Sequence, residues 1–220
     1  MSRVLVIGDL HAPAVHPDYF DFVKSIKRKH RTDKTVFIGD VIDHHVISFH
    51  KANPESPDAL REYNLAFETV KKWYHRYPNA VVTVGNHDSR VHRLASDAGI
   101  PSLYLKEYNE LYNTKNWEWE QSVEIDNVYY YHGTGASSAY PAFNAARARN
   151  QSVVMGHHHT KAAINWLSGS NDHRIFGMSV GCGVNNKHLS MLYSEHYLIK
   201  PMLSCGVVID GYPILEVMPV

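Results

Sequence analysis

The chain has 220 residues, 44% of them hydrophobic and 20% charged, with 22 lysines and arginines against 22 aspartates and glutamates. That composition excludes a disordered segment and gives no net charge for gathering a polyanion; the length suits one domain, expected over residues 1–220. Two cysteines are too few for a disulfide framework, the apolar run at residues 3–7 is too short for a secretory signal, and no run is long enough to span a bilayer, so the expectation is a soluble, cytoplasmic protein with no membrane partner.

In chain order, residues 3–8 read as a first strand, followed by a helix from Asp18 to about His30 with Phe20, Val23 and Ile26 on its apolar stripe. Residues 35–39 read as a second strand. His44 to Asp58 is a polar, proline-bearing loop. Asp58 caps a long helix to about Tyr77, with Leu60, Tyr63, Phe67, Val70 and Tyr74 at helical spacing. Residues 80–84 make a third strand, and a helix starts near Asp88. This alternation predicts right-handed crossovers and a mainly parallel sheet. After an irregular helical stretch at 102–116 the chain becomes strand-rich: Trp117–Ile125, Asn127–Tyr131, 152–155, 162–167, Arg174–Val180, 206–210 and 212–217. Asp126-Asn127 and Asp210-Gly211 read as hairpin turns, and Ser137–Arg149 as a helix. A second sheet packed on the first is the natural result.

Five of the apolar runs end in the same way. Gly8 is followed by Asp9, Gly39 by Asp40, Gly85 by Asn86 and Gly156 by His157, while the run Val128–Tyr131 is followed by His132. Glycine permits a close approach of backbone, and ligands in open α/β sheets bind beyond the carboxyl ends of the strands. Sixteen histidines point the same way, since imidazole is the commonest metal ligand and a frequent acid or base.

The ordered set Gly8-Asp9-Leu10-His11, Gly39-Asp40-Val41-Ile42-Asp43, Gly85-Asn86-His87-Asp88, His132 and Gly156-His157-His158-His159 resembles the calcineurin-like metallophosphoesterases, in particular their small bacterial and phage types. The resemblance covers residues 8–159. Ser179–Val184 loosely resembles the glycine-rich strand and turn that follows in that family. The resemblance implies an α/β fold, a four-layer α/β/β/α sandwich of two mixed sheets flanked by helices. It implies two divalent metal ions, with Mn²⁺ favoured and Fe, Zn²⁺ or Ni²⁺ also suited to nitrogen and oxygen ligands. Asp9, His11, Asp40 and His159 would take the first metal. Asp40, as the shared bridge, would take the second with Asn86, His132 and His157. The implied catalytic residues are His87, as general acid, and Asp43, which orients its imidazole. The implied reaction is hydrolysis of a phosphate ester by a metal-bridging hydroxide. The substrate is then a phosphate ester, which includes nucleotides and nucleic acid. Phosphodiesters are favoured over monoesters because a diester needs the stronger nucleophile and leaves as an alkoxide. A phosphatase or a nuclease on the same site is the enzymatic alternative. A binding scaffold, as in a retromer coat subunit of this fold, is the non-enzymatic one.

Other residues have plainer readings. If residues 157–159 are extended, His158 points away from its neighbours. Asp88 reads as a helix N-cap and Arg90 as a surface helix charge; a contact from Arg90 to the phosphate would defeat the diester preference. His44, which stands where the protein phosphatases of this superfamily carry Arg, reads with His45 and His50 as a solvated rim histidine. Trp117 and Trp119 read as core or inter-sheet packing, Tyr129–Tyr131 as a buried strand with satisfied hydroxyls, and Arg147, Arg149 and Lys161 as ordinary surface.

Overall fold

The first strands form where apolar, β-branched runs stop at glycine. The computed structural model describes residues 2–48, 55–168, 174–194 and 198–219; His50 and Pro54 of the polar loop lie outside them. The elements are β1 (Arg3–Ile7), α1 (Tyr19–His30), β2 (Lys34–Phe37), α2 (Ala59–Arg76), β3 (Ala80–Thr83), α3 (Arg90–Asp97), α4 (Tyr108–Leu111), β4 (Trp117–Glu120), β5 (Ser122–Ile125), β6 (Val128–Tyr131), α5 (Pro141–Arg149), β7 (Ser152–Met155), β8 (Ala162–Ser168), β9 (Arg174–Val180), β10 (Ser204–Ile209) and β11 (Tyr212–Val217).

They build two mixed sheets. The first has the order β11-β10-β1-β2-β3-β4, with β1 to β4 parallel and β10 and β11 antiparallel. The second has the order β5-β6-β7-β9-β8, in which β6, β7 and β9 are parallel. Strand alternation sorts the core. Val4, Val6, Val36 and Ile38 face the second sheet and meet Tyr130, Val154, Phe176, Met178 and Val180. Leu5, Ile7, Phe37 and Val82 face the other way, under Tyr19, Val23 and Ile26 of α1 and Ala66, Val70 and Trp73 of α2. Beyond the second sheet, Ala146 of α5 packs on Val153 and Ile175. The result is the α/β/β/α sandwich that the motifs implied. Among the described residues no helix is long and apolar enough to cross a membrane.

Parts of the sequence reading change. Trp117–Ile125 is not one strand: β4 pairs with β3 in the first sheet, and after Gln121 β5 opens the second. No glycine or proline marks that crossing, because an edge strand can leave one sheet and enter another without changing its alternation. Trp117 and Trp119 pack on the helix side of the first sheet, not between the sheets. The buried face of α2 is Glu62, Ala66, Val70 and Trp73; of the expected stripe Val70 is buried, Tyr63 and Tyr74 are partly buried against the core, and Leu60 is exposed. Tyr130 lies between the sheets with no partner for its hydroxyl, and Arg149 stacks over Tyr129. Both expected hairpin turns are present, with positive φ at Asp126 and Asn127 and at Asp210 and Gly211.

Tyr19 ties α1 to the sheet beneath it. Its hydroxyl donates to the Ser204 carbonyl at 2.7 Å and accepts from the Gly8 amide at 3.1 Å, in a fully buried position. Tyr19→Phe leaves both groups unsatisfied and is expected to cost about 1–3 kcal/mol. Urea denaturation should show a lower midpoint with an unchanged slope.

Candidate metal centre

Parallel pairing brings the polar residues to one end of both sheets. Ile7 is level with Phe37, and Phe37 with Val82, so Asp9, Asp40 and Asn86 leave neighbouring strands side by side. In the second sheet Tyr131 is level with Met155, which places His132 beside the turn that carries His157 and His159.

Three groups of metal-capable side chains result: Asp40 belongs to two, and His11, Asp43 and His87 form the third. Asp9, His11, Asp40 and His159 offer atoms within 4.8 Å of one another, as do Asp40, His132 and His157. His159 Nε2 lies 3.3 Å from Asp9 Oδ2, and His11 Nε2 lies 3.5 Å from Asp40 Oδ2. His132 Nε2 faces Asp40 Oδ2 at 3.1 Å, Asn86 Oδ1 at 3.1 Å and His157 Nδ1 at 3.2 Å. Asn86 thus stands with the second group through its amide oxygen. His132 Nδ1 donates to the Ile38 carbonyl at 2.9 Å, so in the neutral ring Nε2 carries a lone pair and cannot donate to any of the three. Asp9 Oδ1 and His11 Nε2 are buried without a hydrogen-bond partner. Lone pairs that converge on a small volume, two of them otherwise orphaned, are the donor set a cation needs. Without one, a proton must serve: burial opposes the charge on His132, but Asp40 outweighs it and raises the pKa to about 10. Burial and the His132 charge hold His157 down to about 4.

The glycines before the ligands are there for room. A Cβ on Gly85 would lie 2.1 Å from Asp40 Oδ1, and one on Gly156 would lie 2.2 Å from Asp9 Oδ1. Each carboxylate occupies the space that a side chain in place of the glycine would need.

The calcineurin-like phosphoesterase family profile matches residues 2–182. The chain belongs to that family. No curated protein matches the sequence. Similar solved structures include vacuolar protein sorting 29 from Cryptosporidium parvum, at 14% identity over 99% of this chain and 96% of that one, with a TM-score of 0.48. The phosphoesterase YfcE of E. coli is 18% identical over 94% and 88%, with a TM-score of 0.46. The nuclease MPE of Pseudomonas putida is 10% identical over 96% and 86%, with a TM-score of 0.42.

In this calcineurin-like chain the residues around the two groups are as ordered as the groups themselves. Asp43 Oδ1 accepts from His11 Nδ1 at 3.0 Å and lies 3.1 Å from His87 Nδ1, which also donates to the Asp43 carbonyl at 2.7 Å. His87 Nε2 meets Arg90 Nη2 at 3.3 Å, and the residue lines the cleft. Burial would raise the Asp43 pKa, yet hydrogen bonds from the two imidazoles hold it well below the usual range. For His87, burial opposes the charged form, but the charge of Asp40 and the bond to Asp43 raise the pKa.

Several plainer readings are corrected here. His157 has φ +67°, so residues 157–159 form a turn and not an extended segment. His158 nevertheless faces away from the ligand atoms, its Nε2 donating to the Ala136 carbonyl at 2.7 Å. Asp88 does not cap α3, whose N-cap is Ser89. It is fully buried and accepts from the Ile42 amide at 3.1 Å and the Gly85 amide at 2.9 Å, which ties the loop after β2 to the loop after β3. Burial and the charge of Asp40 raise its pKa to about 7. Arg90 is not a surface charge: it is 7% exposed and reaches His87. His44 is half-buried, donates from Nδ1 to the His87 carbonyl at 2.9 Å and accepts from the Tyr112 hydroxyl at 3.0 Å. His45 is buried, and its amide and that of Val46 donate to Glu62 at 2.6 Å and 3.1 Å. Glu62 and Tyr112 were not singled out from sequence; a carboxylate on the buried column of α2 was the available signal for Glu62.

Gly156→Ala is expected to displace Asp9, because Ile38 Cγ2 at 2.6 Å closes the other side of the new methyl group. Metal retained after dialysis, measured by elemental analysis, should fall, while the far-ultraviolet circular dichroism stays close to that of the parent chain.

Proposed function

We propose that this chain is a dinuclear metal-dependent hydrolase of phosphate esters. The observation that carries the reading is Asp40 Oδ2, which stands between His11 Nε2 and His132 Nε2 and so joins the two groups of ligand atoms. Asp9, His11, Asp40 and His159 would hold one divalent cation, and Asp40, Asn86, His132 and His157 the other. Mixed nitrogen and oxygen donors suit Mn²⁺, Fe, Zn²⁺ or Ni²⁺. When bound, two such cations supply Lewis acidity towards phosphate and lower the pKa of an attacking water.

The chain's own groups supply orientation and a proton. Asp43 fixes the His87 ring through Nδ1, so that Nε2 is presented to the cleft. A protonated Nε2 there donates to the departing ester oxygen. His11 is fixed in the same way by the same carboxylate, which leaves its Nε2 for the metal. The cleft, of about 310 Å³, runs from Asp40, Asn86 and His87 on its polar side to Met191, Ile199 and Pro201 on its apolar side. The polar side suits phosphate and the apolar side the organic part of the ester. The expected preference for diesters rests on the nucleophile and the alkoxide leaving group, and a cation on the phosphate would oppose it; Arg90, buried beside His87, is the candidate for that cation.

Chelation of the purified protein should abolish hydrolysis of p-nitrophenyl esters, and Mn²⁺ should restore it with close to two metals per chain by elemental analysis. A chelated sample that stays fully active overturns the reading. His157→Ala or His159→Ala should lose one metal or bind it far more weakly, whereas His158→Ala should keep both.

His87→Ala should keep both metals and lower kcat by roughly 10²–10⁴, the range for a lost general acid. The loss should be smaller for a nitrophenyl than for an alkyl leaving group, since the former departs without a proton. Equal losses for the two would remove His87 from the acid's role.

A further inference from the structure

Arg90 opens α3 three residues after His87, and its guanidinium is held from behind. Nη1 donates to the carbonyl oxygens of Asp43 at 3.0 Å and His44 at 2.6 Å. Those acceptors are themselves fixed. His44 has φ +49°, which turns its carbonyl towards the guanidinium, and its ring is anchored at both nitrogens by the His87 carbonyl and the Tyr112 hydroxyl. Nη2 meets His87 Nε2 at 3.3 Å, and His87 lines the cleft. Nε is buried with no hydrogen-bond partner. Among the described residues, carbonyl oxygens and an imidazole surround this group, and no carboxylate pairs with it.

A buried guanidinium is stabilised only when an anion or a full set of acceptors meets it. Here the carbonyl acceptors fix its position beside His87, which lines the cleft, while the Asp43, Asp40 and Glu62 carboxylates attract its charge without pairing with it.

We propose that Arg90 contacts the phosphate of the substrate and directs the site towards phosphomonoesters, whose phosphate carries two negative charges. This deepens the phosphoesterase reading above and rests on it. A diester carries one charge and two non-bridging oxygens; a monoester dianion carries two charges spread over three. A fixed cation of defined geometry favours the ion of higher charge, and the guanidinium fork matches phosphate oxygens. Because the fork is already held by Asp43 and His44, little is lost in ordering it when substrate binds.

The test uses the Mn²⁺-reconstituted chain and its Arg90→Gln and Arg90→Lys variants, with metal content and melting temperature checked for each. The readouts are kcat/KM for p-nitrophenyl phosphate and for bis-p-nitrophenyl phosphate, and the affinity for inorganic phosphate by calorimetry. The parent chain is expected to favour the monoester. Arg90→Gln should lose roughly 10- to 100-fold on the monoester, the scale of one charge-assisted hydrogen bond, and several-fold less on the diester. Its phosphate affinity should fall about tenfold, and Arg90→Lys should recover part of both losses. Equal losses on the two esters in a variant that keeps its metals overturn the proposal, and so does unchanged phosphate affinity. A diester preference in the parent chain overturns it whether or not either variant folds. If the metal-loaded parent hydrolyses neither ester, the phosphoesterase reading fails, and the phosphate titrations still decide whether Arg90 meets phosphate.

Discussion

A carboxylate enclosed among imidazoles constrains the rest of this molecule. Asp40 is 2% exposed, and burying its charge alone would cost several kcal/mol. Burial pushes its pKa up, but His132, His87 and His11 outweigh that push and hold it well below the usual carboxylate range. One oxygen takes the His87 amide at 2.8 Å; the other faces His11 and His132. For those partners to meet, strands from two sheets must end at the same place and point the same way. β1, β2 and β3 are parallel in the first sheet, and β6 and β7 in the second. The antiparallel strands β5, β8, β10 and β11 complete the sheets and contribute none of the candidate ligands. The candidate ligands thus leave the ends of five parallel strands, and the edge strands β11, β4, β5 and β8 contribute none.

That convergence requires backbone that the chain would not choose alone. His11, Asp40, His44 and His157 all have positive φ without being glycine, a conformation that costs of order 1–3 kcal/mol each. Neighbouring loops hold it in place. The amides of Leu10 and His11 both donate to the Asp40 carbonyl, Ala12 donates to Val41, and Asp43 donates back to Ala12. Asp88 adds a buried carboxylate between the loops after β2 and β3. The Gly181–Gly183 turn, which the sequence matched only loosely, supports Asp9 from the other side, through the Gly183 amide on the Asp9 carbonyl at 2.8 Å. Backbone strain at the centre is thus offset by hydrogen bonds between loops that are far apart in sequence.

What was legible in the sequence follows from that organisation. Each candidate ligand lies within a few residues of the end of an apolar run, so periodicity and the following polar residue located it. The four layers followed from the same strands and helices. Features set by approach between distant segments were not legible. Arg90 has the spacing of a helix-surface residue, and only the position of the Asp43–His44 loop makes it buried. Glu62 sits one column from the stripe marked by larger apolar residues, and its partners are amides of another loop. The break at Gln121 leaves the alternation of its strand unchanged. The alternation argument at His157–His159 set His158 apart from its neighbours through the wrong conformation, because a turn at His157 also sends His158 the other way.

Asp43 shows how tightly the parts of the centre are joined. Its Oδ1 serves both His11, a candidate ligand, and His87, the candidate acid, whose rings stand 4.4 Å apart. Its main-chain carbonyl serves His87 again and Arg90 as well. One residue therefore positions three groups, two through its side chain and two through its backbone. Removing the carboxylate takes an acceptor from both imidazoles and leaves both carbonyl contacts available, so it should disturb ligand and acid together while sparing the guanidinium. A defect at position 43 is then not a measure of the acid's orientation alone. Groups that share an acceptor do not act additively, and the roles of His11 and His87 separate only when each is changed in the presence and absence of the Asp43 carboxylate.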